Sequence, residues 1–126
     1  MKYPIKFGKY LLLDRINIGG MAEVFLAKAF GIKGFERMHA IKRILPNMAE
    51  DDEFIKMFAD EARIASTLDH DNIVDIYDLG KSNNQYYIDM AFIFGRDLRS
   101  ILDSYAKESQ TLSIPAAAYI IGQVCD

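Results

Sequence analysis

Ile18-Gly19-Gly20-Met21-Ala22-Glu23-Val24 is the stretch on which the reading of this chain turns. Its two glycines separate an apolar-rich run over residues 9–16 from a second one over 24–30. Two such runs joined by a short glycine turn predict an antiparallel hairpin. A third strand is predicted over 38–45, closed by Pro46. The period of two places Ala40, Lys42 and Ile44 on one face of that strand. Residues 31–37, with two glycines, read as the loop between the second and third strands.

Beyond Pro46 the period changes. Glu50-Asp51-Asp52-Glu53 is an acidic cluster of the kind that suits a helix N-terminus, where the backbone dipole is positive. Phe54, Phe58, Ala62, Ala65 and Leu68 then recur at helical spacing. Glu61 falls on the same stripe, and a carboxylate on a buried stripe is costly unless it is paired. Asp60 lies off the stripe and needs no partner. Asp69-His70-Asp71-Asn72 reads as a turn, 73–79 as a strand, 80–84 as a hairpin loop and 85–93 as a further strand broken by Phe94-Gly95. Helical spacing returns over 97–106, and a last helix starts at Pro115, with proline at a first-turn position. The order is three strands, a helix, two strands and two helices. It predicts an α+β fold, a five-stranded antiparallel sheet covered by one helix.

Composition sets the bounds. The 126 residues predict one domain, and 51% hydrophobic with 26% charged residues is ordinary for a chain with a packed core. A net charge of −3 argues against a nucleic-acid binder. His39, His70 and the single Cys125 make no metal-ligand pattern, and Cys125 reads as a small buried apolar residue. One cysteine excludes an internal disulfide framework, so a cytoplasmic location is expected. The N-terminus has no signal-peptide pattern, and the near-apolar stretch at 114–124 is too short to span a bilayer.

The three leading features fit one chemistry. A glycine turn brings backbone N–H groups close to phosphate oxygens, and a strand lysine adds positive charge beside them. An inward carboxylate can hold that lysine. Each feature alone has a plainer reading: Gly19-Gly20 as a tight hairpin, Lys42 as a solvated strand lysine, Glu61 as a surface partner of Lys56 or Arg63.

Five motifs occur in order. They are Ile16-Asn17-Ile18-Gly19-Gly20-Met21-Ala22-Glu23-Val24, His39-Ala40-Ile41-Lys42, Glu61-Ala62-Arg63, His70-Asp71-Asn72-Ile73-Val74, and the run from Tyr87-Ile88-Asp89-Met90 to Gly95-Arg96-Asp97-Leu98. Together they resemble the N-terminal lobe of a bacterial eukaryotic-like serine/threonine protein kinase. The resemblance implies a tail at 1–8, the lobe at 9–95, and hinge-following helices at 96–126 that begin a second lobe. It implies ATP as ligand, with Mg2+ only in the complete kinase, and a protein hydroxyl as acceptor. Ile16, Val24 and Ala40 would roof the adenine, Met90 would guard the back of its pocket, and backbone groups of Ala91 and Ile93 would bond its edge. Asp97 would reach the ribose, with helix capping as its other reading. Gly19 and Gly20 would lie over the phosphates, Lys42 would touch them, and Glu61 would hold Lys42.

Departures accompany the likeness. Asn17 and Ala22 stand where the family has loop glycines, and Asn tolerates positive φ better than most residues. Ala91 replaces a common hinge glutamate. No H-R-D or D-F-G segment occurs before Asp126, so no residue is assigned as catalytic base or metal ligand, and the segment alone is expected to be inactive. The last helix lacks a closing glycine or basic last turn, so a truncated chain is expected. Its apolar residues predict self-association or domain swapping, and a non-catalytic binding or dimerisation module is the alternative function. A sheet-and-helix protein with no nucleotide role is the third.

Overall fold

The computed structural model describes residues 2–30 and 36–126. The predicted loop at 31–37 thus lies largely outside the described residues. Two compact units make up the chain, 1–93 and 94–126.

The first unit is one antiparallel sheet with a helix on one face. Its strands are β1 (Ile5–Phe7), β2 (Tyr10–Ile18), β3 (Ala22–Phe30), β4 (Glu36–Ile44), β5 (Ile76–Ser82) and β6 (Gln85–Ala91), in spatial order β1-β2-β3-β4-β6-β5. Among the described residues the sheet has six strands, one more than expected. Ile5–Phe7, assigned to a tail, pairs with β2 in the register Ile5 to Leu12 and Phe7 to Tyr10. Three residues after a proline are too few to show an alternating pattern in sequence, so the strand is visible only through its partner. The β5–β6 loop is also shorter than predicted. Ser82 pairs with Gln85, leaving Asn83 and Asn84 as the turn at φ 51° and 62°, the left-handed pair that matches strand twist. The strand itself begins at Ile76 rather than at 73.

The alternation of β3, β4 and β6 sorts residues onto two faces. Register pairs Val24 with Lys42 and Lys42 with Ile88, and likewise Leu26 with Ala40 and Ala40 with Met90. This face receives the helix α1 (Asp52–Ser66), through a cluster of Ile44, Phe54, Phe58, Ala62 and Ile88. Asp51 caps α1 by accepting the Phe54 N–H at 3.1 Å, and Asp52 and Glu53 lie in the first turn. The stripe read from sequence is buried at Phe54, Phe58 and Ala62, while Leu68 lies past the helix end and is exposed.

The opposite face carries Phe25, Ala27, Ile41 and Tyr87, packed with Phe7, Tyr10 and Leu12. Two bulges in β2, between Leu12 and Asp14 and between Arg15 and Asn17, bend the hairpin.

The second unit holds α2 (Leu98–Lys107) and α3 (Ile114–Cys125). Ser113 caps α3, with Pro115 in its first turn. Leu98, Leu102, Leu112, Ala117, Ile120 and Ile121 line an apolar cavity within this unit. Cys125 is exposed, against the expectation of burial, because it lies in the last turn of a helix whose apolar residues Ile114, Tyr119 and Val124 are themselves exposed. Among the described residues, no helix is long and apolar enough to cross a membrane.

Candidate nucleotide site

Strand period and hairpin closure place Val24, Ala40, Lys42 and Met90 on the helix-bearing face. Gly19 N–H donates to the Ala22 carbonyl at 2.8 Å, which closes the hairpin tip. A Cβ added at Gly20 would meet nothing within 4 Å, so space lies open beside this turn. Asn17 sits in β2 opposite Val24 and is not among the positive-φ residues, so the tolerance argued for it is not used.

Lys42 occupies the middle of β4, flanked in register by Val24 and Ile88. Its Nζ donates to Glu61 Oε1 at 3.2 Å and lies 6.0 Å from the Phe58 ring centroid. Glu61 is less buried than its stripe implied. Its side chain is 63% exposed, against 28% for Lys42, because it lies at the rim of the α1 contact while Ala62 takes the buried position. The other two basic candidates do not compete for Glu61: Arg63 pairs with Asp60 at 3.1 Å, so Asp60 does have a partner, and Lys56 makes no ion pair with it.

An open cavity of about 680 Å³ joins these parts. The hairpin contributes Asn17, Gly19, Gly20, Met21, Ala22 and Val24. The charged pair Lys42 and Glu61 lies on its wall, and Ile88 and Met90 of β6 line it with Ala62, Ala65 and Ile76. Such a space is large enough for a nucleotide-sized ligand, with apolar walls and few polar groups. Ile16, Ala40, Ala91 and Ile93 are not among the lining residues. Ile16 falls in a β2 bulge and is exposed, whereas Ala40 is buried opposite Met90. The Ala91 N–H is committed to the Asp75 carbonyl at 3.0 Å.

Asp97 belongs to the second unit, where it caps α2 by accepting the Ser100 N–H at 2.7 Å. That bond, ahead of the Ser100 side chain and the charges of Arg96 and Arg99, holds its carboxyl below the usual range. Among the described residues, no group of three or more His, Cys, Asp or Glu side chains gathers to hold a metal ion.

Sequence reasoning missed a polar set on the reverse face. Tyr10 Oη donates to Asp89 Oδ2 at 2.6 Å, and His39 Nδ1 meets Asp89 Oδ1 at 2.5 Å. Burial first, then the bond to Asp89, pushes the Tyr10 hydroxyl far above the ordinary phenol range, so it stays a donor. Nearby, Arg43 bonds Glu23 at 2.7 Å, with both side chains buried. Strand parity alone puts Glu23, His39, Arg43 and Asp89 on the face opposite Lys42, but which of them meet is set by register across three strands.

The sequence profile of the protein tyrosine and serine/threonine kinase family matches residues 11–126. The chain belongs to that family, and its first unit has the architecture of a kinase N-terminal lobe. It is similar to the tyrosine-protein kinase MasK of Myxococcus xanthus, 40% identical over 91% of this chain and 18% of that protein. The serine/threonine-protein kinase PrkC of Bacillus subtilis is 44% identical over 75% of this chain and 14% of its own length. Among solved structures, the PknI kinase domain of Mycobacterium tuberculosis superposes with a TM-score of 0.78 at 27% identity, over 98% of this chain and 47% of that one. The chain thus spans less than a fifth of the curated relatives MasK and PrkC.

Proposed function

We propose that this chain is the ATP-binding portion of a protein kinase that phosphorylates serine or threonine. The observation that carries the reading is the Lys42–Glu61 contact in a cavity walled by the glycine hairpin. Phosphoryl transfer depends mainly on positioning and on neutralising phosphate charge. Lys42 supplies a fixed positive charge for the α- and β-phosphates. Glu61 accepts from Lys42 and keeps its ammonium aimed into the cavity. Gly19 and Gly20 let backbone N–H groups approach the phosphates, where a side chain would stand in the way. Ile16, Val24 and Ala40 cover one side of the adenine, and Met90 limits its depth. The Ala91 carbonyl and the backbone of Ile93 bond its edge. The hydroxyl-activating base is not assigned to any residue of this chain.

The choice of serine or threonine follows the relatives PrkC and PknI, which are named serine/threonine-protein kinases, while MasK is named for tyrosine. Radiolabelled ATP with the complete protein as encoded tests both parts. Phosphoserine or phosphothreonine is expected in the hydrolysed product, and Lys42→Met is expected to abolish labelling. Phosphotyrosine alone would overturn the acceptor assignment, and full labelling by the variant would overturn the role of Lys42.

A further inference from the structure

Asp89 is 4% exposed and stands next to Met90 on β6, but its side chain points to the other face of the sheet. Both of its oxygens are engaged, one by Tyr10 of β2 and one by His39 of β4. A carboxylate oxygen only accepts, so His39 donates from Nδ1. In the strand order, β2 is separated from β6 by β3 and β4. The Tyr10–Asp89 bond therefore closes across the curl of the sheet. Tyr87 reinforces the closure, its ring meeting those of Phe7 and Tyr10 edge-on, each at 5.4 Å between centroids.

Of these three residues, Asp89 backs onto the nucleotide cavity, standing in β6 between the lining residues Ile88 and Met90. His39 precedes Ala40 and pairs with Ala91, while Ile41 pairs with Asp89 and Ala40 with Met90. From Tyr10, β2 runs through its two bulges to the glycine hairpin. The network thus ties the root of the hairpin to the strand that ends at 91. Buried charge is often replaceable by apolar residues without loss of stability, and in some proteins such a network serves to specify geometry.

We propose that Tyr10, Asp89 and His39 are positioning residues that fix the spacing between the glycine hairpin and the adenine-edge backbone. The proposal rests on the cavity being an ATP site. Loss of either bond lets the sheet relax its curl, which widens the cleft and weakens nucleotide binding, while Lys42 and Glu61 keep their contact.

The test uses the complete protein as encoded, with a fluorescent N-methylanthraniloyl ADP titration and autophosphorylation at saturating ATP. Tyr10→Phe and His39→Leu are each expected to weaken binding about fivefold, the effect of one ordinary hydrogen bond. The rate at saturating ATP should stay within about twofold, the signature of lost uniform binding. His39→Asn, which keeps a donor near the Nδ1 position, should restore wild-type affinity. Should His39→Leu fail to fold, Tyr10→Phe decides, since it keeps the ring and removes only the hydroxyl. A lowered melting temperature with unchanged affinity would overturn the positioning role. Absence of binding by the wild-type protein would overturn the ATP-site reading itself, and the proposal with it.

Discussion

Lys42 Nζ and Glu61 Oε1 stand 3.2 Å apart, one on the central strand β4 and one on the covering helix α1. The helix is held to the sheet by Phe54, Phe58 and Ala62, not by this pair. An ion pair with this much solvent access contributes less than about 1 kcal/mol. Urea unfolding of Lys42→Met and Glu61→Gln should therefore stay within that margin of wild type. A larger loss would make the pair a structural strut.

The buried pair Glu23–Arg43 should behave in the opposite way. Glu23 is 3% exposed and also lies 3.7 Å from Arg15, and the Arg43 guanidinium rests 4.7 Å from the Phe25 ring centroid. Glu23→Ala strands Arg43 in an apolar surround and is expected to cost about 3–5 kcal/mol. Replacing both residues with methionine should recover most of that loss. Denaturant titration of the single and double variants checks this.

Two glycines make contrasting predictions. A Cβ at Gly80 would sit 2.6 Å from Tyr87 Oη, and the Tyr87 ring is held between Phe7 and Tyr10. Gly80→Ala is expected to destabilise by about 1–3 kcal/mol through overpacking. A Cβ at Gly20 has open space, so Gly20→Ala should leave folding within about 0.5 kcal/mol and still weaken nucleotide binding. Calorimetric melting and an ATP titration separate the two effects.

Asp97 supplies a pH dependence with a defined sign. Its carboxyl is held low, first by the Ser100 backbone N–H, so its ionised form is favoured in the folded state. The capping contribution is therefore complete above the unfolded carboxyl range and is lost as pH falls through the lower folded value. The Ser100 amide resonance should follow that titration in NMR. In Asp97→Asn the cap remains and the titration should disappear.

Much of this fold was legible because its signals are local. The period of two in β3 and β4, the switch to helical spacing at Phe54 and the acidic start of α1 each lie within a few residues of sequence. The pairing of Lys42 with Glu61 was legible as a candidate through the order of the motifs that hold them, although Glu61 is more exposed than its place on the stripe implied. Strand β1 was not, since three residues carry no period. The Tyr10–Asp89–His39 network was not, because it unites three strands through register and curl, which no single stretch encodes. The exposure of Cys125 was hidden for a related reason: a helix that is apolar around much of its circumference does not say which side is covered.

The central claim is that Lys42 and Glu61 act as one unit on bound ATP. The most direct measurement is a double-mutant cycle on kcat/KM for ATP in the complete protein, with Lys42→Met, Glu61→Gln and both together. The account predicts a large loss for each single variant and no further loss in the double beyond the more damaging single. Losses that multiply, or a Glu61→Gln enzyme as active as wild type, would contradict it.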